Sequence, residues 1–259
     1  MIGKFNYLWR LIATAISFTL FGFGGIFLSI IVFPMIKIFS KDRKKRIKHA
    51  RKVIHLSFKF FINVMSIFGM FNFDVYKDKK LLEGAKGVVV VANHPTLIDI
   101  VVILSMMPNA DCIIKQSLFK NFFLKWVVAT AGYIKNSQNI DDLLVACDHS
   151  LKLGNALIIF PEGTRTIKNG EVKLQRGASN IALRCGVNLL PITLSCNPST
   201  LTKNEEWYEI PKIKAEFGMR VGESIEIDAF QQEGINISIQ ARRLTKYLQD
   251  YFIGELRKV

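Results

Sequence analysis

Hydrophobic and polar positions divide this chain into two unlike parts. From Leu11 to Met35 no charged residue occurs, and about 20 apolar residues suffice to cross a bilayer as a helix. Lys41 to Lys52 follows with eight lysines and arginines. A cluster of that sign beside an apolar segment binds anionic headgroups and marks the cytoplasmic side. Val53 to Asn72 is apolar again but contains Lys59, which predicts an interfacial helix whose lysine reaches back to water. Two forms of anchor fit Leu11 to Met35. One is a single span that leaves the amino terminus outside; the other is a re-entrant hairpin broken at Gly22, Gly24, Gly25 or Pro34. A cleaved signal peptide fits poorly, because no small-residue cleavage site precedes the basic run.

From about Phe73 the pattern changes to alternating strand and helix. Gly87 to Val91 and Ala156 to Phe160 are short apolar runs of the kind buried on both faces of a sheet. Leu189 to Leu194 predicts another strand. Asp141 to Leu153 and Leu174 to Cys185 have amphipathic helical spacing, as does the tail from Ile235 to Val259. Ile100 to Met107 reads as an apolar helix or strand, and Ser117 to Thr130 as core packing, membrane contact or the wall of an acyl groove. The expected fold class is α/β, a mixed sheet flanked by helices, with an N-terminal hydrophobic helical membrane anchor. The expected organisation is 1–72 as anchoring helices, with the polybasic segment at 41–52, and 73–259 as the catalytic domain.

The formal net charge of +14 does not point to nucleic acid. Such a partner needs a basic groove with stacking aromatics, whereas the phenylalanines here lie in apolar segments. Much of the excess sits beside the membrane segment, so anionic lipid is the expected partner and nucleic acid is not. Cys112, Cys147, Cys185 and Cys196 show no metal-like pairing and read as reduced thiols. With the four histidines scattered and no glycine-rich phosphate loop, neither a metal nor a cofactor is implied.

Candidate chemistry lies at two strand ends. Val88 to Val91 runs into Asn93-His94-Pro95, with Asp99 five residues after the histidine. An imidazole takes a proton near neutral pH, and a carboxylate at its other nitrogen sets the tautomer and raises basicity. On spacing alone, a hydrogen-bonded loop histidine and a helix-capping acid fit equally well. Ala156 to Phe160 runs into Pro161-Glu162-Gly163-Thr164-Arg165-Thr166. Arg165 is a donor fork for phosphate or carboxylate; Glu162 orients a hydroxyl or holds Arg165, unless the pair is a surface ion pair on a turn.

Together these segments resemble the glycerolipid acyltransferase superfamily, the 1-acylglycerol-3-phosphate acyltransferases and their relatives. The family's N-H-x-x-x-x-D block is matched from Asn93 to Asp99 and its F-P-E-G-T-R block from Phe160 to Arg165. Leu174-Gln175-Arg176-Gly177-Ala178 resembles its F-K-x-G-A element, and Leu190-Pro191-Ile192-Thr193 its proline-containing fourth block. The resemblance covers about residues 85 to 225. It implies His94 and Asp99 as catalytic residues, and Asn93, Glu162, Gly163, Thr164 and Arg165 as substrate-binding ones, to which Lys115 is added as a candidate cation. It implies acyl-CoA or acyl carrier protein as donor and a lysophospholipid such as 1-acylglycerol-3-phosphate as acceptor, at the cytoplasmic face of the inner membrane.

The second block departs from the family. Ala131 to Gln138 lacks the arginine that in the family helps hold the acceptor's phosphate. Lys115 or Lys135 is the candidate replacement, although a flexible ammonium does not reproduce a bidentate fork. The alternative is therefore an acyltransferase for a non-phosphate acceptor, an aminolipid or specialised polyene lipid. A non-catalytic membrane lipid-binding protein is disfavoured by the presence of both His94 and Asp99.

Overall fold

The computed structural model describes residues 2–121, 124–137, 139–167, 170 and 172–258. Helix α1 (Ile2–Phe27) continues through a π-helical stretch, Leu28–Val32, into α2 (Phe33–Phe39). The breaks expected at Gly22, Gly24 and Gly25 do not occur, since a helical glycine costs only about 1 kcal/mol. Pro34 lacks the N–H that would bond one turn back, and its ring crowds that carbonyl. The wider π turn before it absorbs the misfit without a break.

Lys4–Phe39 is long and apolar enough to cross a membrane by length and composition. Its two faces differ. Phe5, Leu8, Ile12, Ile16, Phe23, Phe27 and Ile30 are exposed at helical spacing, whereas Arg10, Ala13, Thr14, Ser17 and Phe33 are buried against the rest of the protein. The amino-terminal end is fastened by polar bonds. Arg10 Nη1 and Nη2 donate to the carbonyls of Ile213 and Lys212 at 2.7 and 2.6 Å, and Trp9 Nε1 donates to Phe68 O at 3.0 Å.

Helix α3 (Arg43–Ile67) starts at Asp42, whose carboxylate accepts the Lys45 N–H. Val53 to Asn72 is not a separate interfacial helix. Ile54, Phe61, Ile62 and Met65 of α3 are buried in the protein core while Lys59 stays exposed, because the apolar face has a protein surface to cover. Arg51 departs equally from its basic neighbours. It pairs with Asp111 at 2.8 Å, with both side chains about 5% exposed or less, and donates to the carbonyls of Ala131 and Asn109. It is a buried structural cation and does not face lipid.

The remaining elements are β1 (Phe71–Asp74), α4 (Lys79–Gly84), β2 (Val89–Ala92), α5 (Asp99–Met106), β3 (Asp111–Ile114), α6 (Gln116–Lys120), α7 (Lys125–Thr130), β4 (Ile134–Lys135), α8 (Ile140–Lys152), β5 (Leu157–Ile159), α9 (Gly177–Cys185), β6 (Leu189–Asn197), β7 (Ala215–Val221) and α10 (Ile237–Leu256). Helix α9 begins later than its amphipathic spacing predicts. The Leu174 N–H bonds Gln249 Oε1 and the Gln175 N–H bonds Pro161 O, so these residues serve tertiary contacts before the helix starts.

The strands form one seven-stranded mixed sheet in the order β1-β7-β6-β2-β5-β3-β4. Strands β6, β2, β5, β3 and β4 are parallel, β7 is antiparallel to β6, and β1 is parallel to β7. All four residues of β2 are buried, as a central strand with helices on both faces requires. The pleat divides them. Val90 and Ala92 join the cluster containing Ile54 and Met65 of α3 and Ile103 of α5. Val89 and Val91 join that of Cys147, Ile181, Leu244 and Phe252 from α8, α9 and α10. This is the mixed sheet flanked by helices that the alternating pattern predicts. Ala13, Phe33 and Ala50 belong to the first cluster, so the amino-terminal helices share the sheet's core. Strand β1 pairs Phe71 with Ala215 of β7 and therefore straddles the 72/73 boundary.

Candidate active site

Five parallel strands end at one edge of the sheet, where α/β folds collect their functional groups. At the end of β2, Asn93 extends the pairing with β6 through its side chain. Its Nδ2 donates to Leu194 O at 2.8 Å and its Oδ1 accepts the Leu194 N–H at 2.7 Å. The side chain is buried, with both amide groups bonded to backbone. These two bonds fix the backbone that carries His94.

His94 Nδ1 lies 2.7 Å from Asp99 Oδ2. A carboxylate only accepts, so Nδ1 carries the proton and Nε2 keeps its lone pair. The histidine side chain is 19% exposed and the aspartate fully buried. Asp99 is the first residue of α5 and also accepts from Thr96, at 2.8 Å from N–H and 2.5 Å from Oγ1. Burial pushes the Asp99 carboxyl above the ordinary carboxylate range, while the bonds from His94 and Thr96 pull the other way. With three donors around it and an acid at a helix amino terminus favoured, the carboxylate is well placed to hold an imidazolium. The Phe160 ring stacks on the imidazole, centroids 4.2 Å apart, which limits ring rotation from the other side.

Glu162, after the end of β5, is turned toward the first motif. Its Oε1 accepts the backbone N–H of His94 at 2.7 Å, and its Oε2 accepts from Thr166 Oγ1 at 2.8 Å. The Thr166 N–H returns a bond to His94 O at 2.8 Å. Burial raises the Glu162 carboxyl, opposed first by the His94 bond and then by Thr166. Glu162 holds the backbone of His94 and does not pair with Arg165. Gly163 has φ +71°, and a Cβ there would stand 2.8 Å from Gln175 Nε2; glycine alone suits both constraints. Thr164 is exposed at the tip. Arg165 Nη1 donates to the carbonyls of Leu201 and Thr202 at 3.0 and 2.9 Å; among the described residues Nε and Nη2 have no hydrogen-bond partner.

Lys115 follows β3 and Lys135 ends β4, both exposed. Ile158 is level with Val90 and with Cys112, and Ile114 with Lys135. By that register Lys115 stands near the height of Asn93 and Lys135 near that of Ala92, on the same edge as the dyad. Neighbouring strands are about 4.8 Å apart, so Lys115 is the nearer of the two. Gln138, the end of the variant second block, lies outside the described residues.

Three contributors escape a reading of the motifs: Thr96, Phe160 as a stacking partner, and Thr166. Only Thr96 leaves a trace, because Thr96-Leu97-Ile98-Asp99 has the spacing of a helix start.

Fold and site together define a three-layer α/β domain with a histidine–aspartate pair at the carboxyl edge of its sheet. The Acyltransferase family model matches residues 72–195, and this part of the chain is similar to that family. It is 29% identical over 174 residues to the chloroplastic 1-acyl-sn-glycerol-3-phosphate acyltransferase LPAT1 of Arabidopsis thaliana, covering 65% of this chain and 46% of that one. It is 27% identical over 209 residues to a 1-acyl-sn-glycerol-3-phosphate acyltransferase of Saccharomyces cerevisiae, covering 78% and 64%. To the one from Helicobacter pylori it is 34% identical over 118 residues, covering 43% and 48%. The chain spans about half the length of several of these relatives. The crystal structure of the 1-acyl-sn-glycerophosphate acyltransferase PlsC from Thermotoga maritima superposes with a TM-score of 0.68 at 21% identity, over 98% of both chains. That likeness concerns the fold.

Proposed function

We propose that this protein is a membrane-bound O-acyltransferase that moves a fatty acyl group from acyl-CoA or acyl carrier protein to a lysophospholipid such as 1-acylglycerol-3-phosphate. The observation that carries the reading is the 2.7 Å bond from His94 Nδ1 to buried Asp99, which leaves Nε2 as a base at the sheet edge. Nε2 takes the proton of the acceptor hydroxyl as that oxygen attacks the thioester carbonyl. The tetrahedral intermediate then expels the thiolate, which recovers the proton from Nε2. Asp99 steadies the imidazolium between the two transfers, and no acyl-enzyme is required. Arg165, with Lys115 beside it, holds the acceptor's phosphate, while Gly163 and Thr164 shape the tip of the loop. Glu162 keeps the backbone of His94 in register.

The names of the relatives support lysophosphatidic acid as acceptor. The missing second-block arginine, and the engagement of Arg165 Nη1 by two carbonyls, favour the non-phosphate acceptor as the second reading. The deciding assay gives the purified full chain lysophosphatidic acid and uncharged or amine-bearing hydroxylated lipids in parallel, with coenzyme A and acyl carrier protein thioesters. Formation of phosphatidic acid, lost in His94→Ala, is expected. Acylation of only the uncharged or amine-bearing lipids overturns the leading acceptor in favour of the second reading.

The exposed apolar stripe of α1 and the basic run behind α2 support attachment to the cytoplasmic face of the inner membrane. Because Arg10 bonds the carbonyls of Lys212 and Ile213 in the catalytic part, the favoured arrangement keeps the amino-terminal turns on the same side as the sheet, as in a half-buried helix. Accessibility of an amino-terminal tag in sealed inside-out vesicles tests it; a protected tag argues for a full span.

A further inference from the structure

We propose that the groove between α2 and the amino-terminal half of α3 binds one anionic phospholipid molecule, at a site separate from the dyad. The groove has a volume of about 1050 Å³. Its mouth carries Lys41, Lys45, His49 and Lys52, and its wall is apolar, with Ile36, Phe39, Val53 and Leu56. Asp42 also lines it, but that carboxylate accepts the Lys45 N–H as a helix cap, and the three lysines leave the rim positive. A soluble anion would satisfy the lysines and leave the wall in water. A phospholipid with a net negative headgroup fills both halves, phosphate at the mouth and acyl chain along α2. Phe39 of that wall is 79% accessible and its chain neighbour Ile38 71%, so a lipid can enter from a bilayer beside them.

The groove lies toward the opposite edge of the parallel strands from His94. Arg51, between His49 and Lys52 on α3, bonds Asn109 O, Ala131 O and the Asp111 carboxylate, all at or before the starts of β3 and β4. His94 follows the end of β2, and a four-residue strand is about 13 Å long. Lipid in the groove therefore does not occupy the reaction centre. The inference extends beyond acyl transfer and is read by lipid retention, so it stands or falls independently of the acceptor.

Native mass spectrometry of the full chain in detergent, titrated with phosphatidylglycerol or phosphatidylcholine, tests the site. One phosphatidylglycerol per chain should be retained, phosphatidylcholine should not, and His94→Ala should bind as the wild type does. Lys45→Gln with Lys52→Gln should weaken binding roughly 30-fold, at about fivefold per lysine. Val53→Trp, which fills the groove without changing charge, should abolish it at unchanged melting temperature. Lys44→Gln with Lys48→Gln, on the same helix but outside the groove, should have little effect. The proposal is overturned if this last pair weakens binding as much as the groove pair, or if folded Val53→Trp still retains the lipid. Displacement of the lipid by millimolar inorganic phosphate would also overturn it, in favour of a site for small anions.

Discussion

The backbone N–H of His94 donates to Glu162 Oε1 at 2.7 Å, joining residues 68 positions apart in the chain. The acid that follows β5 holds the histidine that follows β2. Neither motif positions the histidine alone: Asp99 sets its ring, Glu162 its backbone, and Thr166 closes the loop by bonding both Glu162 and the His94 carbonyl.

Replacing His94 by alanine should lower acyl transfer by about 10²- to 10⁴-fold, the usual contribution of a general base. Melting temperature and vesicle binding should hardly change, since the ring is partly exposed and Asp99 keeps its two bonds from Thr96. Turnover within about threefold of wild type would remove His94 from the mechanism.

Asp99→Asn should cost less activity than His94→Ala. The amide oxygen can take the place of Oδ2, accepting from His94 and the Thr96 N–H, while the Thr96 hydroxyl turns to accept from the new amide. What is lost is the negative charge opposite the imidazolium. Side-by-side kcat values for the two variants check the order.

Stability should report the burial of Glu162. Its carboxyl is raised in the folded chain, so its favourable contribution is complete below the unfolded value of about 4.3 and is lost as pH rises through the folded one. Glutamine does not titrate. The melting temperature of Glu162→Gln minus that of wild type should therefore become more positive from about pH 4 to about pH 7; a pH-independent difference would contradict the assignment.

The basic run should separate into two behaviours. Neutralising its lysines and arginines other than Arg51 should weaken binding to anionic vesicles, by about 1 kcal/mol for each residue near the surface, with the melting temperature preserved. Arg51→Gln should instead destabilise the fold by about 3 to 5 kcal/mol, because Asp111 is left buried and unpaired. Denaturant unfolding and vesicle flotation distinguish the two.

Arg165→Gln should raise KM for lysophosphatidic acid more than tenfold relative to an uncharged acceptor, given about 1.5 to 3 kcal/mol for a charge-assisted bond. Arginine introduced at Ser137, just after β4, should improve use of lysophosphatidic acid. Equal effects of Arg165→Gln on both acceptors would assign Arg165 to its carbonyl bonds with Leu201 and Thr202 alone.

The chain by itself determined the α/β class and the central strands, and it put His94 and Asp99 within reach of each other. Those features are local: a run of valines has only a doubly covered strand to form, and His94 and Asp99 are five residues apart across one turn. Tertiary structure decided what depends on distant partners. Arg51 is indistinguishable in sequence from the lysines around it, and only its burial against Asp111 separates it from them. Glu162 looked free to pair with Arg165 until β2 and β5 met side by side and gave it a nearer donor, the His94 N–H. Asn93 looked available to substrate, but the adjacency of β2 and β6 put Leu194 within reach of both ends of its amide. The same holds for the first helix, whose length and composition permit a span. Whether its polar residues face lipid or protein depends on Lys212 and Ile213, two hundred residues away, and local pattern carries no information about carbonyls at that distance.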